Sequence, residues 1–264
     1  MDALARAGHQ VFFLLRSLGS IPMALSQYRA EVLRLLSNVT WGNGSIVVGG
    51  GTIGVILVIS AFGGATVGME GYNSLNILGM GPLTGAVSAF ATTRELGPLL
   101  ATIAFAAQAG CRFTAQLGSM RIAEEIDALE SIAIRPLPYL VSTRMFAAMV
   151  AIVPLYLVGL ATAYLSCQLT VALLGGESGG TYMHYFYQFL HPVDVLYSLL
   201  KAIVFVGLTT FIQCYYGYFA SGGPEGVGVA AGRAIKMCII IVVFANLFLT
   251  LAIWGITADI RISG

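Results

Sequence analysis

The sequence of 264 residues is 58% hydrophobic, and only 9% of its residues are charged. Soluble domains average about 45–50% apolar residues, so this composition predicts a protein of the lipid bilayer. The net charge of +1, without a basic run interleaved with aromatic residues, excludes a nucleic-acid-binding protein.

The N-terminal region, residues 1–40, is predicted to be a retained interfacial segment. Its apolar stretch at residues 11–15 is too short for the core of a secretory signal, and charged residues follow it. A helix over residues 28–37 would place Val32, Leu33 and Leu36 on one face and the charged residues away from it. This pattern predicts an amphipathic helix in the membrane interface, or equally a cytosolic extension of the first span.

The remaining residues, 41–264, are predicted to form the transmembrane region. Its uncharged runs exceed the roughly 18 residues that indicate a spanning helix. Residues 71–93 contain several glycines and a proline, so we predict a broken or re-entrant segment there and place the second span at residues 94–112. Such runs occur at residues 35–69, 71–93, 145–176, 202–224 and 237–258, and we expect five crossings, of which residues 71–93 are not one.

The basic residues predict the orientation of the chain. They cluster before the first span, in the middle of the sequence and before the last span, whereas residues 70–93 and 177–194 contain no Lys or Arg. The positive-inside rule places the basic clusters in the cytoplasm. We therefore expect a multi-pass protein of the plasma (inner) membrane, with a cytoplasmic N-terminus and an extracytoplasmic C-terminus. Lys201 is expected to snorkel to the outer interface.

Three pairs of glycines with a spacing of four residues are candidate helix-packing sites. Small residues at this spacing allow two helices to approach closely within lipid. Because the chain contains 32 glycines, such pairs also arise by chance. Packing within the chain is the favoured interpretation, and contact with a second subunit is the alternative. The pairs are Gly50 with Gly54, Gly64 with Gly68, and Gly81 with Gly85.

An acidic segment separates the second span from the third. Residues 124–130 read E-E-I-D-A-L-E, with four acids in seven positions. The helical period predicts one amphipathic helix over residues 119–131, in which Arg121 pairs with Glu124 or Glu125. Its apolar stripe consists of Ile122, Ile126 and Leu129, and Glu124 and Asp127 lie on the opposite face.

The acidic character of this helix indicates a protein partner. A helix on the cytoplasmic leaflet should be rich in Lys and Arg, because anionic headgroups attract cations. We therefore favour docking into a basic or hydrogen-bond-donating groove of a soluble protein, and an ordinary solvated connector is the alternative. The candidate docking residues are Arg121, Glu124, Glu125, Asp127, Ala128, Leu129 and Glu130.

The sequence contains no motif that predicts catalysis. Neither lysine follows a glycine in the frame of a phosphate-binding loop, so an ATP-driven transporter would need its motor from another chain. The G-x-S-x-G pattern at residues 176–180 joins two spans and lacks the strand and helix of a nucleophile elbow. We predict a non-catalytic subunit that itself holds no cofactor or metal.

Three motifs resemble those of the MlaE/YrbE permeases of ABC-type lipid transporters. They are R-E-L-G-P at residues 94–98, Q-L-G-S-M-R-I-A-E-E-I-D-A-L-E at 116–130 and G-G-P-E-G-V-G at 222–228. The resemblance covers nearly the whole chain and implies one all-α permease domain, residues 1–264, whose acidic helix is the coupling helix that docks into an ATPase. The stretches Y-R-A-E-V-L-R-L-L, G-T-Y-M-H-Y-F and C-Y-Y-G-Y look further like B-type YrbE permeases of actinobacterial Mce systems.

The resemblance also implies partners and a cargo. These are an A-type YrbE permease in a heterodimer, a cytoplasmic ATPase homodimer that uses ATP and Mg, and an outer assembly of Mce proteins that forms a lipid tunnel. The expected cargo is a lipid or another hydrophobic molecule. Arg94 and Glu95 are expected to hold the mouth of the second span as an interfacial pair. An ATP-independent channel or carrier, and a membrane anchor for an outer complex, are the alternatives.

Overall fold

The computed structural model describes residues 3–40, 51–175 and 179–255, which form ten helices, counting contiguous helical segments as one, and no strand. Five helices are long and apolar enough to cross a membrane, which confirms an all-α membrane protein with five spans. The helices are α1 (Ala3–Gly19), α2 (Ile21–Gln27), α3 (Arg29–Thr40), α4 (Gly51–Asn76), α5 (Gly81–Ile122), α6 (Glu125–Ser131), α7 (Leu137–Leu174), α8 (Gly179–Phe189), α9 (Pro192–Tyr218) and α10 (Gly223–Trp254).

Helix α3 lies where the sequence predicts an amphipathic helix, but a different face is buried. Val32, Leu35 and Val39 are buried, whereas Leu33 is 66% exposed. The apolar stripe therefore follows the i, i+3, i+7 spacing of a helix that packs on protein. On the exposed face, a hydrogen bond from the Arg34 side chain to Glu31 at 2.7 Å raises the pKa of Arg34.

Residues 71–93 contain the predicted break, at residues 77–80, but they do not form a separate re-entrant segment, so that alternative is wrong. Residues 71–76 complete α4, and α5 begins at Gly81 after a turn in which Gly79 has a φ of 70°. Pro82 lies in the first turn of α5, where its missing N–H leaves no helical hydrogen bond unmade. The second span is therefore part of one helix of 42 residues.

Three π-helical stretches interrupt the regular geometry of the spans. Two lie in α5, at Ser88–Leu96 and Ala106–Gly110, and a third, Leu137–Ser142, begins α7. A π turn widens the helix by one residue per turn and leaves backbone groups with altered partners, and such turns often occur at functional sites. The first stretch contains Arg94 and Glu95.

Contacts divide the chain into two compact units. Helices α1 to α3 and α6 belong to the first unit, and α8 belongs to the second. The five spans each contribute to both, α4 with only residues 51–53 in the first. The first unit comprises Met1–Ile53, Ala104–Ile152 and Val206–Ile240, and the second comprises Gly54–Ile103, Val153–Phe205 and Ile241–Gly264.

Close packing in the first unit depends on glycines and aromatic rings. A Cβ atom at Gly118 of α5 would lie 2.8 Å from Val227 of α10, and one at Gly217 of α9 would lie 2.8 Å from the carbonyl oxygen of Thr114. The ring of Phe13 in α1 lies between 5.5 and 5.9 Å from four rings at the end of α9 and just beyond it. The N-terminal helix is thus part of the packed structure.

In the second unit, two of the predicted glycine pairs lie at helix contacts within the chain. A Cβ atom at Gly64 would lie 2.0 Å from the carbonyl oxygen of Ala163, and one at Gly68 would lie 2.8 Å from that of Cys167, so α4 packs directly on α7. Gly85 similarly faces the backbone of Tyr182 in α8, 2.4 Å from its added Cβ, and Gly81 faces the ring of Tyr72. In the pair of Gly50 with Gly54, Gly50 lies outside the described residues.

Candidate functional site

The acidic segment forms two helices rather than the one predicted over residues 119–131. Helix α5 continues to Ile122, and α6 begins at Glu125. Glu124 between them has a φ of 57°, in the left-handed region that ends helices. The prediction of a continuous helix is wrong because no glycine or proline marks this break in the sequence.

A second left-handed residue closes the other end of α6. Ala133 has a φ of 62°, and the N–H groups of Ala133 and Ile134 donate to the carbonyls of Glu130 and Leu129, both at 3.0 Å. This is the hydrogen-bond pattern of a Schellman cap, whose left-handed position is usually glycine. A left-handed conformation costs a non-glycine residue roughly 1–2 kcal/mol, so tertiary packing must hold α6 in place at both ends.

Helix α6 presents nearly all of its side chains to solvent. Ile126 is 1% exposed and anchors the helix, whereas its acidic residues are all exposed. Arg121 donates to Asp127 at 2.8 Å, which corrects the predicted pairing with Glu124 or Glu125. The break at Glu124 changes the direction of the helix, so the helical spacing of the sequence no longer decides which side chains meet.

The carboxylates of α6 leave a strongly acidic surface. Among the residues that the structure describes, Glu124, Glu125 and Glu130 take part in no ion pair. The Arg121–Asp127 pair is itself 39% and 60% exposed, so it contributes little to stability. Unpaired and exposed carboxylates accept hydrogen bonds, which suits contact with Lys or Arg side chains of another protein.

A second concentration of charge lies inside the second unit and is named here the charged cluster. It joins α5, α9 and α10 through side chains that meet at hydrogen-bond distance, and Lys201 at its centre has no exposed surface. Its members are Arg94, Glu95, Asp194, Lys201, Asn246, Thr250 and Trp254.

Glu95 and Lys201 form the core of the charged cluster. The Lys201 ammonium lies 3.5 Å from the Glu95 carboxylate and donates to the hydroxyl of Thr250 at 2.8 Å. Thr250 in turn donates to Glu95 at 2.6 Å, and the amide of Asn246 donates to the other carboxylate oxygen at 2.5 Å. Every acceptor and donor in this chain of contacts is compatible with a charged Lys201 and an ionised Glu95.

Arg94 forms a separate pair with Asp194. Its guanidinium donates to one carboxylate oxygen at 2.8 and 3.2 Å, and Trp254 donates to the other at 2.7 Å. The guanidinium also lies over the rings of Phe90, at 4.7 Å, and Trp254, at 5.2 Å. The two cations and two anions of the charged cluster therefore balance, as buried charges require.

The motif R-E-L-G-P explains how α5 supplies this site. Residue 98, four positions after Arg94, is a proline without an N–H, so the carbonyl of Arg94 cannot accept the hydrogen bond of a regular α-helix. Lys201 takes that place, with its ammonium 2.6 Å from the Arg94 carbonyl oxygen. Gly97 is needed beside it, because a Cβ atom there would lie 2.7 Å from the carbonyl oxygen of Thr92 and 3.2 Å from the hydroxyl of Tyr156.

Several members of the charged cluster differ from the sequence predictions. Arg94 and Glu95 do not pair with each other. Arg94 binds Asp194 of α9, and Glu95 binds Lys201 of α9 and side chains of α10. Lys201 does not snorkel outward, since a neighbouring carboxylate, hydroxyl and carbonyl satisfy it. Asp194 and Asn246 were not predicted as site residues. The proline four residues after Arg94 was the available signal for a free carbonyl within the span.

The third motif, at residues 222–228, shapes the start of α10. Gly222 and Gly223 have φ angles of 92° and 70°, Pro224 lies in the first turn, and Glu225 places a carboxylate at the positive end of the helix dipole. A Cβ atom at Gly226 would lie 1.9 Å from the carbonyl oxygen of Ser221. These residues form a tight helix entry.

Comparison with known proteins agrees with this architecture. The family described as Permease MlaE matches residues 43–252, which is more than half of the chain. A probable ABC transporter permease protein of Rickettsia prowazekii is 29% identical over 205 residues, 78% of this chain and 79% of the relative. The intermembrane phospholipid transport system permease protein MlaE of Haemophilus influenzae is 27% identical over 210 residues, 79% of this chain and 80% of the relative.

A plant relative extends the comparison to the N-terminal region. The Arabidopsis thaliana protein TRIGALACTOSYLDIACYLGLYCEROL 1, chloroplastic, is 29% identical over 235 residues, which is 88% of this chain and 66% of the relative. Five membrane-spanning helices and the family match together lead to one identification. This chain belongs to the MlaE permease family.

Proposed function

We propose that this chain is the membrane-spanning permease subunit of an ATP-driven lipid transporter, and that α6 is its contact with a separate ATPase. The observation that carries the proposal is the exposed acidic surface of α6, which Ile126 anchors and two left-handed residues delimit. Such a helix buries too little of itself to be explained by the stability of the chain alone.

Electrostatics favours a protein as the partner of α6. Glu124 before the helix and Glu125 and Glu130 within it have no ion pair among the described residues, so they would be repelled by an anionic leaflet and attracted by a groove that carries Lys or Arg. The strained residues Glu124 and Ala133 hold α6 as a short unit between two spans. ATP can then bias the permease by binding more tightly to one arrangement of the complex than to the other.

A lipid cargo is supported by the family and by the names of relatives. The Haemophilus influenzae relative is named for phospholipid transport, and the Rickettsia prowazekii relative is named as an ABC transporter permease. The chain's spans also expose many apolar side chains, which suits a hydrophobic cargo at the surface of the bundle. We propose transport of lipid or of another hydrophobic molecule.

The proposed assembly follows the Mce kind of this family. An A-type YrbE permease would complete the heterodimer, an ATPase homodimer would hold ATP and Mg, and an outer Mce assembly would receive or deliver the lipid. The positive-inside rule supports the proposal that the N-terminus and α6 face the cytoplasm and that the C-terminus lies outside the plasma membrane. This chain itself would be non-catalytic and would hold neither nucleotide nor metal.

The charged cluster is proposed to position α5, α9 and α10 during transport. Lys201 bridges the backbone of α5 and the side chain of Thr250 in α10, so a shift of any one of these helices changes the contacts of the other two. Because its charges balance, the cluster can lie within the bilayer at a moderate cost. It would transmit movement by packing and not by proton transfer.

Purification of the chain from its native membrane in mild detergent tests the proposed function. Mass spectrometry should find an ATPase and a second permease in near-equal amounts. Asp127→Lys should remove the ATPase but leave the second permease, and the matched control Glu70→Lys, at an exposed acid of α4, should keep both. Intact membrane partners with no ATPase would overturn the proposal and favour a channel or an anchor.

A further inference from the structure

A cavity in the first unit lies beside α6 and has no role in the function proposed above. Its volume is about 470 Å³, within the usual range of small-molecule sites. Its walls come from α1 and α2, from the end of α6 with the connection to α7 and the start of α7, and from the end of α9 with the residue beyond it. The cavity therefore touches both the N-terminal helices and the chain that leaves the acidic helix.

The interior of the cavity is aromatic and partly uncovered. Phe12, Phe13, Tyr218 and Phe219 line it. Phe13 is buried, but Phe12 is 64% exposed and Phe219 is 45% exposed. Two aromatic rings that remain this exposed at a cavity provide a surface on which an acyl chain can pack.

Basic side chains lie at the same cavity. Arg16 and Arg135 line it, and within the described part of the chain neither takes part in an ion pair. The side-chain contact of Arg135 is weak, since its guanidinium lies 3.9 Å from the sulfur of Met23. Glu130 is the one acidic residue of the lining, so the cavity keeps a net positive charge.

From this combination we infer that the cavity binds one acidic phospholipid of the surrounding membrane. Arg16 and Arg135 would bind the phosphate, since a guanidinium matches its oxygens with two parallel donors. An acyl chain would lie against Phe12 and Phe219. Basic pockets at the cytoplasmic ends of transmembrane helices bind anionic headgroups in this way.

The charge of the cavity distinguishes a lipid from the protein partner of α6. A protein that binds the acidic surface of α6 must carry positive charge, and Arg16 and Arg135 would repel it. A lipid of the same leaflet meets the positive cavity with an anionic headgroup and its aromatic lining with an acyl chain. The bound lipid would contact α1 and the residues after Ala133 together.

Site-specific photocrosslinking tests this site directly. The full chain, with its co-purifying partners, is placed in nanodiscs of equal parts phosphatidylglycerol and phosphatidylcholine, with a photoreactive phenylalanine analogue in place of Phe12. Mass spectrometry of the adducts should show about fivefold more phosphatidylglycerol than phosphatidylcholine, the enrichment expected for basic residues near an anionic lipid. The same probe in place of Phe62, which is 73% exposed on α4, a helix without Lys or Arg, should give the two lipids in equal amounts.

Two charge variants complete the test. Arg16→Gln with Arg135→Gln should reduce the ratio at position 12 to about one, whereas the matched Arg29→Gln with Arg34→Gln, at exposed arginines of α3, should leave it unchanged. Equal adducts of both lipids in the unmodified chain would overturn the inference. An equal loss of enrichment in both double variants, or adducts to protein instead of lipid, would also overturn it.

Discussion

The acidic helix α6 and the charged cluster carry the same kinds of side chain in opposite surroundings. The carboxylates of α6 are exposed, and within the described residues Asp127 alone among them has an ionic partner. In the charged cluster, Glu95 and Asp194 each accept hydrogen bonds at both carboxylate oxygens, and Lys201 is fully buried. Exposed charges contribute little to folding and remain available to a partner, whereas buried charges must satisfy one another.

This contrast separates stability from recognition. Substitutions in the charged cluster should lower the free energy of unfolding, because each leaves another buried group without its partner. Substitutions on the exposed face of α6 should change the interaction with the ATPase and leave folding intact. The following predictions test that separation and are ordered by their expected effect on stability.

The largest effect is expected for Glu95→Ala. It leaves the fully buried Lys201 without an anion, and because the Glu95 side chain is itself 36% exposed, we expect the lower end of the cost of breaking a buried pair, about 3 kcal/mol in the free energy of unfolding. Unfolding in mixed detergent micelles measures the change. The control Glu95→Gln with Lys201→Met should recover most of the loss, and Lys236→Met, at the other, exposed lysine, should have no effect. Equal losses in the single and double variants would contradict the ion-pair account.

A smaller effect is expected for Asp194→Asn. Arg94 would keep its contacts with the rings of Phe90 and Trp254 but lose its charged acceptor, at a cost of about 2 kcal/mol. The same unfolding assay detects it. The matched control is Glu70→Gln, at an exposed acid of α4, and it should leave the free energy of unfolding unchanged. A variant as stable as the original would show that Arg94 does not depend on Asp194.

Pro98→Ala tests the free carbonyl in α5. The new N–H can donate to Arg94, so Lys201 should become less important, and Lys201→Met should cost about 1 kcal/mol less in this background. A double-mutant cycle measures this coupling energy. Additive effects of the two substitutions would mean that the proline does not prepare the site for Lys201.

The backbone at the end of α6 gives an effect of opposite sign. Ala133→Gly relieves a left-handed conformation and should raise the free energy of unfolding by about 1 kcal/mol. The matched Ala128→Gly, within α6, should lower it by about 1 kcal/mol, because glycine disfavours a helix interior. Equal effects of both substitutions in thermal unfolding would show that Ala133 is not strained.

The smallest effect on stability is expected for Glu125→Lys. The side chain is exposed and has no ion pair among the described residues, so the free energy of unfolding should change by less than about 0.5 kcal/mol, but ATP-dependent lipid transport should be lost. Transport in proteoliposomes and unfolding of the same preparation measure the two effects together. Full transport by the variant would count against a coupling role for α6.

The sequence predicts the spans and the acidic segment because both depend on local composition. Runs of apolar residues identify four of the five membrane-spanning helices, the second is predicted at residues 94–112 within the longer α5, and four acids in seven positions identify α6. The break at Glu124 could not be predicted, because no glycine marks it and the surrounding packing imposes its left-handed conformation. The polarity of a short segment was thus easier to predict than its geometry.

The charged cluster could be predicted only in part, because its contacts join positions that lie far apart in the sequence. Arg94, Glu95 and Lys201 stand out as charges in apolar sequence, but Lys201 meets partners that are 107 and 49 residues away. No periodic pattern connects positions so far apart, and their contacts depend on how α5, α9 and α10 pack. The expectation that Lys201 reaches the interface failed because it considered one helix alone.

Photocrosslinking from α6 tests the central claim most directly. Ala128 is exposed between the acids of α6, and a photoreactive residue placed there reports what covers the helix in the native membrane. The account predicts a crosslinked adduct with a nucleotide-binding ATPase subunit, and loss of that adduct when Asp127 is also changed to Lys. Adducts with lipid alone, or no adduct in a chain that is fully inserted, would contradict docking of α6 into an ATPase.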